Sequence, residues 1–495
     1  MSEGEERLGF PVDELRGRTA RGGVLNALFL GGGEGLALLQ GLIVTALLGP
    51  VAIGLYGIVT TTAMTIVQLR RVGIDEAFVQ QAAEDQEGEF RRAFGVELGL
   101  GLLGTVLIVA LAPLVAVVYG DDELLGLTLA VAYLPLAFSL QAPQWVFFRR
   151  MDFLRVRLLQ FAIPLVTFLV TVPLAIVTDS VWALVIGPFC GNLVAVIAGV
   201  AISPYPLRPV FDRAAARRYL SFSWPIFVTA LALLIVQQGQ VLAFDVEGGL
   251  AAAGFITLAF TLTRYADRAD QIVATTIYPA ICAVVDRPDA QRRIFVAASR
   301  LTLIWALPFC GALILFAPDL VQLLLGDEWE PAVLLIQGLA GAAALQQVGY
   351  VWFSFYRARA DTAPQAVESA AMVTTFLGLA VPGLLLWGFE GFVAGRVAVS
   401  LAMLAVREHY VRALFPEIGL ARIALRGVVP AAVGVAAVLA VRAALGGGER
   451  EAVEAIAQLA LFVAVTGGLT WALERRLLGE LLALTRTAHT RAGTA

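Results

Sequence analysis

Arg264 and Arg268 stand four residues apart in TLTRYADRADQ, with Asp267 between them. On an α-helix that spacing sets both guanidinium groups on one face. Each offers a planar fork of N–H donors that stays charged in any pocket, which suits the oxygens of a phosphate or diphosphate. Arg70 and Arg71 form a second pair in QLRRVGIDE, and Arg396 stands alone in the apolar run FVAGRVAVS. The opposite charge is scarce at depth. Glu34 follows Gly31, Gly32 and Gly33 in FLGGGEGLALLQ, and a carboxylate at the centre of a bilayer costs about 2.5–3.5 kcal/mol by insertion scales. It is therefore expected to face a polar interior, as a proton carrier or cation ligand, with the three glycines as a hinge. Each of these residues also has a plainer reading. Arginines mark the cytoplasmic ends of membrane helices, Arg396 can snorkel to the surface, and Glu34 can bond to a neighbouring helix.

Such chemistry needs elements to hold it, and the composition says which. The chain of 495 residues is 59% hydrophobic and 15% charged, with a mean hydropathy of +0.82. Soluble domains carry about 25% charged residues. Apolar runs such as LGLGLLGTVLIVALAPLVAVVY are long enough to cross roughly 30 Å of hydrocarbon as helices. The expected fold is an all-α polytopic membrane protein with about fourteen transmembrane helices near 24–48, 52–70, 95–118, 124–145, 158–178, 182–203, 221–244, 250–272, 298–318, 332–355, 365–386, 389–411, 425–445 and 452–473. With span 1 starting near Val24, Glu34 falls close to mid-bilayer, about 15 Å in. The polar start lacks a short apolar core with a cleavage site, so no removable signal peptide is expected.

All 35 basic residues are arginine. With the N-terminus in the cytoplasm, thirty-two fall in the even-numbered loops and the two tails or in the span ends that border them. Arg442 and Arg450 fall outside, and Arg396 falls within a span. Loops such as FFRRMDFLRVR and DRPDAQRRIF alternate with short, nearly arginine-free turns such as YGDDE, TDS and LGDEWEP. That bias places both termini in the cytoplasm, in an inner cell membrane. The longest loops have roughly 25 residues, too short for a soluble catalytic domain. Cys190, Cys282 and Cys310 lie in apolar surroundings and are expected as buried free thiols, and His409 and His489 lie too far apart for a metal cluster. No cofactor, metal or nucleic acid is expected, and there is no nucleotide-binding GxxxxGKS loop.

The chain also repeats itself. LLGPVAIGLYGIV echoes in VEGGLAAAGFITL, matching Gly49 to Gly249 and Gly54 to Gly254, and LQAPQWVFFRR from Leu140 echoes in LQQVGYVWFSFYR from Leu345. Two six-helix bundles of like orientation around a central cavity, followed by two C-terminal helices, are a transporter architecture. The corresponding division is a cytoplasmic tail 1–23, a bundle 24–203, a linker 204–220, a bundle 221–411, helices 13 and 14 with their preceding loop over 412–473, and a tail 474–495. Gln237, Gln238 and Gln240, and the aromatic residues Tyr350, Trp352, Phe353, Phe355 and Tyr356, either touch sugar or lipid or link helices. Gly187/Gly191 and Gly391/Gly395 have GxxxG spacing suited to close helix packing.

Several of these stretches resemble the exporter superfamily of polysaccharide and lipid-linked oligosaccharide flippases, lipid II flippases, and multidrug and toxin extrusion proteins. LLGPVAIGLYG is similar to that superfamily's turn between spans 1 and 2, and RRMDFLRVRLLQ to its turn after span 4. The match extends through IYPAICAVVDRPDAQRRIF and ALPFCGALILFAPDLVQLLLGDEWEPAVLLIQGLA, with a Gly-x-x-Trp turn before span 10. The resemblance implies a secondary transporter that moves a polyprenyl-pyrophosphate-linked oligosaccharide from the cytoplasmic to the outer leaflet by alternating access, for cell-surface polysaccharide synthesis. It also implies coupling to a proton or sodium gradient or to the membrane potential, contact with membrane lipid and polysaccharide assembly enzymes, and a monomer. YADR resembles the lipid II flippases' span 8, whose arginine lines the cavity, and the double arginine at 70–71 has a counterpart there. Pro279 stands at a family proline, a second hinge. The Arg-Asp pair of lipid II flippases in span 1 is replaced here by Gln40 and Gly41, which moves the reading toward a more general oligosaccharide. A lipid II flippase, a multidrug cation antiporter of the same fold, and an integral-membrane glycan polymerase or glycosyltransferase stay open as alternatives.

Overall fold

The computed structural model describes residues 12–70, 73–81, 85–150, 152–213, 216–217, 224–359, 361, 363–445 and 450–492. These residues are mainly helical, with no strand among them. The elements are α1 (Val12–Arg70), α2 (Ile74–Gln80), α3 (Gln86–Tyr119), α4 (Glu123–Val131), α5 (Leu134–Leu140), α6 (Pro143–Arg149), α7 (Phe153–Thr178), α8 (Ala183–Ala201) and α9 (Trp224–Thr263). A 3-10 turn over Arg264–Asp267 leads into α10 (Arg268–Ala283). There follow α11 (Pro288–Leu320), α12 (Ala332–Gln347), α13 (Trp352–Arg357), α14 (Ala363–Thr375), α15 (Val381–Leu414), α16 (Leu420–Leu445) and α17 (Ala452–Ala492).

Among the described residues, eleven helical stretches are long and apolar enough to cross a membrane. Three of them run two expected spans together across a glycine with non-helical backbone: Gly49 (φ 72, ψ 174), Gly249 (φ 68, ψ −166) and Gly388 (φ 62, ψ −148). Extended backbone at positive φ is open essentially to glycine alone. At the first break Pro50 then restarts the helix, its fixed φ suited to a first turn. Span 4, read from the sequence as one helix, is three: α4, α5 and α6, with Pro135 and Pro143 at the starts of the second and third. Proline lacks the N–H that would bond back one turn, so the helix restarts at each. The second echo breaks in the same way, because α12 stops at Gln347 and α13 starts at Trp352, across Gly349 at φ 71.

The chain forms two compact units. One comprises Met1–Leu48, Val59–Phe227 and Arg476–Ala495, and the other comprises Gly49–Ile58 and Val228–Arg475. In the first, α3 packs on α5, where the Cβ missing from Gly101 would overlap Ser139 Oγ, and α7 packs on α8. Gly187 and Gly191 of α8 sit directly on Thr171, Thr167 and the Ile163 carbonyl of α7. An offset of 204 residues carries these two glycines to Gly391 and Gly395, which in the second unit press on Gly383 and Ala380 of the preceding helical segment. Both GxxxG pairs therefore hold close helix contacts, at equivalent places in the repeat.

The second unit contains a contact that shows the repeat directly. A Cβ on Gly54 would overlap the Leu250 carbonyl oxygen, and one on Gly254 would overlap the Pro50 carbonyl oxygen. The same offset of 200 residues relates both ends of that pair, so segments 50–58 and 250–258 cross isologously, with Gly57 against Thr257 near the crossing point. The turn that resembles the family's Gly-x-x-Trp closes over this crossing. Trp329 is fully buried and packs edge-on against Phe255 at 5.8 Å, and the Glu328 carboxylate lies against Gly49.

Helices α16 and α17 join the second unit through ion pairs to α11 near both of its ends. Toward the arginine-poor end, Asp319 is buried between Arg442 (Nη2, 2.7 Å) and Arg450 (Nε, 2.6 Å). Toward the other end, Arg300 holds the buried Glu474 through both carboxylate oxygens. Arg442 and Arg450 are the two arginines that break the loop bias of the sequence, and Asp319 accounts for both.

Candidate functional site

The helix carrying the arginine pair continues past it, as the placement of Pro279 implies, but with a tightened turn. Residues 264–267 are 3-10, and α10 then runs on to Ala283, helical through position 279. The side chain of Pro279 lies outside the described residues. In a 3-10 turn residues three apart eclipse one another, so Asp267 falls beneath Arg264 and the one-face geometry expected of 264 and 268 is lost. Instead the two guanidinium groups bracket the Tyr265 ring, at 6.0 and 5.9 Å from its centroid. Arg264 is exposed and Arg268 half-buried. Tyr265 is held by its own carbonyl, which accepts from Trp305 Nε1 at 3.1 Å.

Arg396 comes to the same helix. It is buried, at 8% exposure, with its guanidinium 5.6 Å from the centre of the Phe260 ring, one turn before Arg264. Its Nε has no hydrogen-bond partner, and among the described residues no acid pairs with it. It lies eight residues beyond the Gly388 break, roughly 12 Å along the helix, and its burial sets it inside the unit rather than on its surface. Gln240 is also buried with its Oε1 unpartnered, whereas Gln237 is exposed.

Asp267 accepts from Gln347 Nε2 at 2.6 Å, at the edge of a buried polar layer that the sequence did not announce. Arg407 is its centre, 2% exposed, paired with Glu368 (2.5 Å), donating to the Gln346 carbonyl, and stacked over Tyr350 at 5.5 Å. Gln346 in turn donates to Ser400 (3.0 Å). Nothing in the spacing of its sequence neighbours marks Arg407. The aromatic run on α13 belongs to the packing of this end. Trp352 stacks on Tyr410 at 5.5 Å, Tyr356 donates to the Tyr410 carbonyl (3.1 Å), and Phe355 packs on Phe295 and Phe415.

The first unit holds the remaining candidates. Arg70 is buried and paired with the buried Glu97, and it also donates to Ser139 at 3.0 Å. That pairing joins α1 to α3 and α5, so Arg70 is turned into the unit's own interior. Arg71 lies outside the described residues. The helix passes through Gly31, Gly32 and Gly33 without a break, its non-helical residue being Gly49. A Cβ at Gly32 or Gly33 would meet Phe161 and Pro164 of α7 only at ordinary contact distance. The helix is already formed at Val12, so Val24 marks no beginning. Counted back from Gly49, Glu34 lies fifteen residues in, roughly 22 Å, and is half-buried. Of the cysteines, Cys310 is buried, Cys190 intermediate and Cys282 exposed. Cys282 is exposed because it ends α10, at the helix's polar margin.

Apolar helices in two units, a repeat crossing at paired glycines and a buried unpaired arginine beside an arginine-flanked 3-10 turn define an integral membrane protein of the exporter fold. The chain belongs to the polysaccharide biosynthesis protein family, whose model matches residues 43–334. A curated relative, the succinoglycan biosynthesis transport protein ExoT of Rhizobium meliloti (strain 1021), is 22% identical over 295 residues. That alignment covers 59% of this chain and 59% of the relative's length. Among solved structures, the lipid II flippase MurJ in an inward closed conformation matches with a TM-score of 0.71 at 10% identity, over 92% of this chain and all of that one. An inward-facing multidrug resistance transporter of the MATE family matches with a TM-score of 0.65 at 13% identity, over 78% of this chain and 96% of that one. At those identities what is shared is the fold.

Proposed function

We propose that this protein is a flippase of polysaccharide biosynthesis, which carries a polyprenyl-pyrophosphate-linked oligosaccharide across an inner cell membrane by alternating access, with both termini in the cytoplasm. One observation carries the reading: Arg396 is buried in the second unit beside Phe260, one turn before Arg264, with no acid among the described residues to neutralise it. A buried unpaired charge is costly, and in a membrane an ionisable residue inside a bundle marks a substrate path by default. The ligand that would neutralise it is an anion with several oxygens, and a lipid-linked diphosphate is the anion that the family and the name of the ExoT relative support. Arg264 and Arg268 would meet the diphosphate toward the arginine-rich end and Arg396 farther along its path. Tyr265 fixes the first two, and Gln240 offers a free acceptor to a sugar hydroxyl. The chain's own residues bind and orient, and no bond is made or broken. Glu34 is kept as a candidate for the coupling ion.

The test is retention of the glycolipid. Native mass spectrometry of mildly purified protein is expected to show bound polyprenyl-pyrophosphate glycan in the wild type. Losing a hydrogen bond to a charged group costs about 1.5–3 kcal/mol, so Arg396→Gln should retain roughly tenfold less, and Arg264→Ala/Arg268→Ala still less. Equal retention by both variants would take the site away from these residues.

A further inference from the structure

Asp270 carries a buried charge problem that the diphosphate site does not solve. It lies on α10 and is 0% exposed, with neither carboxylate oxygen hydrogen-bonded. The side chain lies against Thr302 of α11. That hydroxyl also lies 3.0 Å from the Ser299 carbonyl, which competes with the acid for its one proton. Ser299 Oγ and Gln347 Oε1 are likewise buried and unpartnered. Of these atoms the Ser299 hydroxyl alone carries a proton to donate, and the carboxylate and the amide oxygen only accept. The charged and titratable groups within electrostatic reach are Asp267 from the 3-10 turn, Arg407 from α15 and Tyr350 from the segment before α13. Arg407 is already spent on Glu368 and the Gln346 carbonyl, and Asp267 adds like charge.

The repeat shows what a balanced version looks like. The offset of 200 that relates Gly49 to Gly249 relates Arg70 to Asp270, and the offset of 205 that relates Leu140 to Leu345 relates Glu97 to Thr302. In the first unit this position holds a closed ion pair, Arg70 with Glu97. In the second, the arginine has become the acid and the glutamate has become a threonine. An uncompensated carboxylate at zero exposure is the costliest arrangement, and one proton removes the difficulty. A neutral Asp270 O–H donates to Thr302 Oγ1, whose own proton continues to the Ser299 carbonyl, giving an unbroken chain. A metal cation would fit less well, with Arg407 close by and no second carboxylate bound to the same place.

We propose that Asp270 is a proton-binding site: in this conformation it holds a proton taken from water, as a neutral acid bonded to Thr302, and it ionises only when α10 and α11 part. Its use in coupling rests on the flippase reading, whereas the proton itself does not, and no glycolipid is needed to look for it. Infrared spectroscopy of the full-length protein in lipid nanodiscs should show a protonated carboxyl C=O band at neutral pH that Asp270→Asn removes and that Thr302→Val shifts in frequency. The folded state then holds a proton that the unfolded chain releases, so wild-type Tm should fall as pH rises from mildly acidic to mildly alkaline. Asparagine's amide can donate to Thr302 at any pH, and the Asp270→Asn profile should lose that slope. A band untouched by both substitutions would overturn the proposal. So would a band abolished by sodium chloride, relative to choline chloride, at constant pH, since the ligand would then be a metal cation.

Discussion

Alanine at position 54 is expected to lower the stability of the protein by about 1–3 kcal/mol, the range for forcing extra volume into a packed site, and alanine at position 254 by a similar amount. The reason is geometric. Each new methyl group would occupy the place of a backbone carbonyl oxygen, Leu250 in one case and Pro50 in the other, and backbone cannot swing aside as a side chain can. The pseudo-symmetry makes a sharper forecast than the magnitude. The two substitutions push apart the same crossing, so the double variant should lose less than the sum of the singles, as coupled neighbours do. Gly35, whose Cβ would meet nothing within 4 Å, is the control, and Gly35→Ala should change little. Thermal unfolding of the wild type and these four variants in one detergent decides the matter. Strict additivity would mean that the two glycines do not share a contact.

The second large effect concerns Asp319. Removing one partner of a buried ion pair costs about 3–5 kcal/mol, because the other charge stays behind. Asp319→Ala leaves two arginines, Arg442 and Arg450, facing each other with nothing between. Arg442 keeps Gln458 (2.8 Å), the Leu315 carbonyl (3.1 Å) and the Phe316 ring, which hold its position without cancelling its charge. The expected result is local. Hydrogen exchange should rise at the adjoining ends of α16 and α17 and stay unchanged in the first unit. Arg442→Leu added to Asp319→Ala should recover part of the loss, since it removes an unpaired cation. Unfolding spread evenly over both units would contradict the pairing.

These two cases also show what can be read from the chain alone. The matched glycines at 49 and 249, and at 54 and 254, were visible as letters because a backbone that needs positive φ or close approach admits no other residue. Arginine placement likewise divides the helix ends without any coordinates. The partners of those arginines are another matter. Arg442 finds Asp319 across 123 residues, and Arg407 finds Glu368 across 39, and no local spacing encodes either. Nothing in the sequence neighbours of Arg70 announces Glu97, onto which the fold turns it. The 3-10 turn at 264–267 was hidden for the same reason. Its residues suit an α-helix equally well, and packing against Trp305 and Gln347 is what the sequence could not display. Nothing in the spacing around Asp270, two residues after Arg268, shows that it is fully buried.

The central claim is movement of a lipid-linked glycan by a path that Arg396 helps to line. The most direct measurement places purified protein in sealed vesicles with a labelled polyprenyl-pyrophosphate oligosaccharide and follows its appearance in the far leaflet. The account predicts protein-dependent transfer of the glycolipid but not of ordinary phospholipid, and roughly tenfold slower transfer by Arg396→Gln, the loss of about 1.4 kcal/mol. Equal transfer of phospholipid and glycolipid, or a rate indifferent to Arg396, would contradict it.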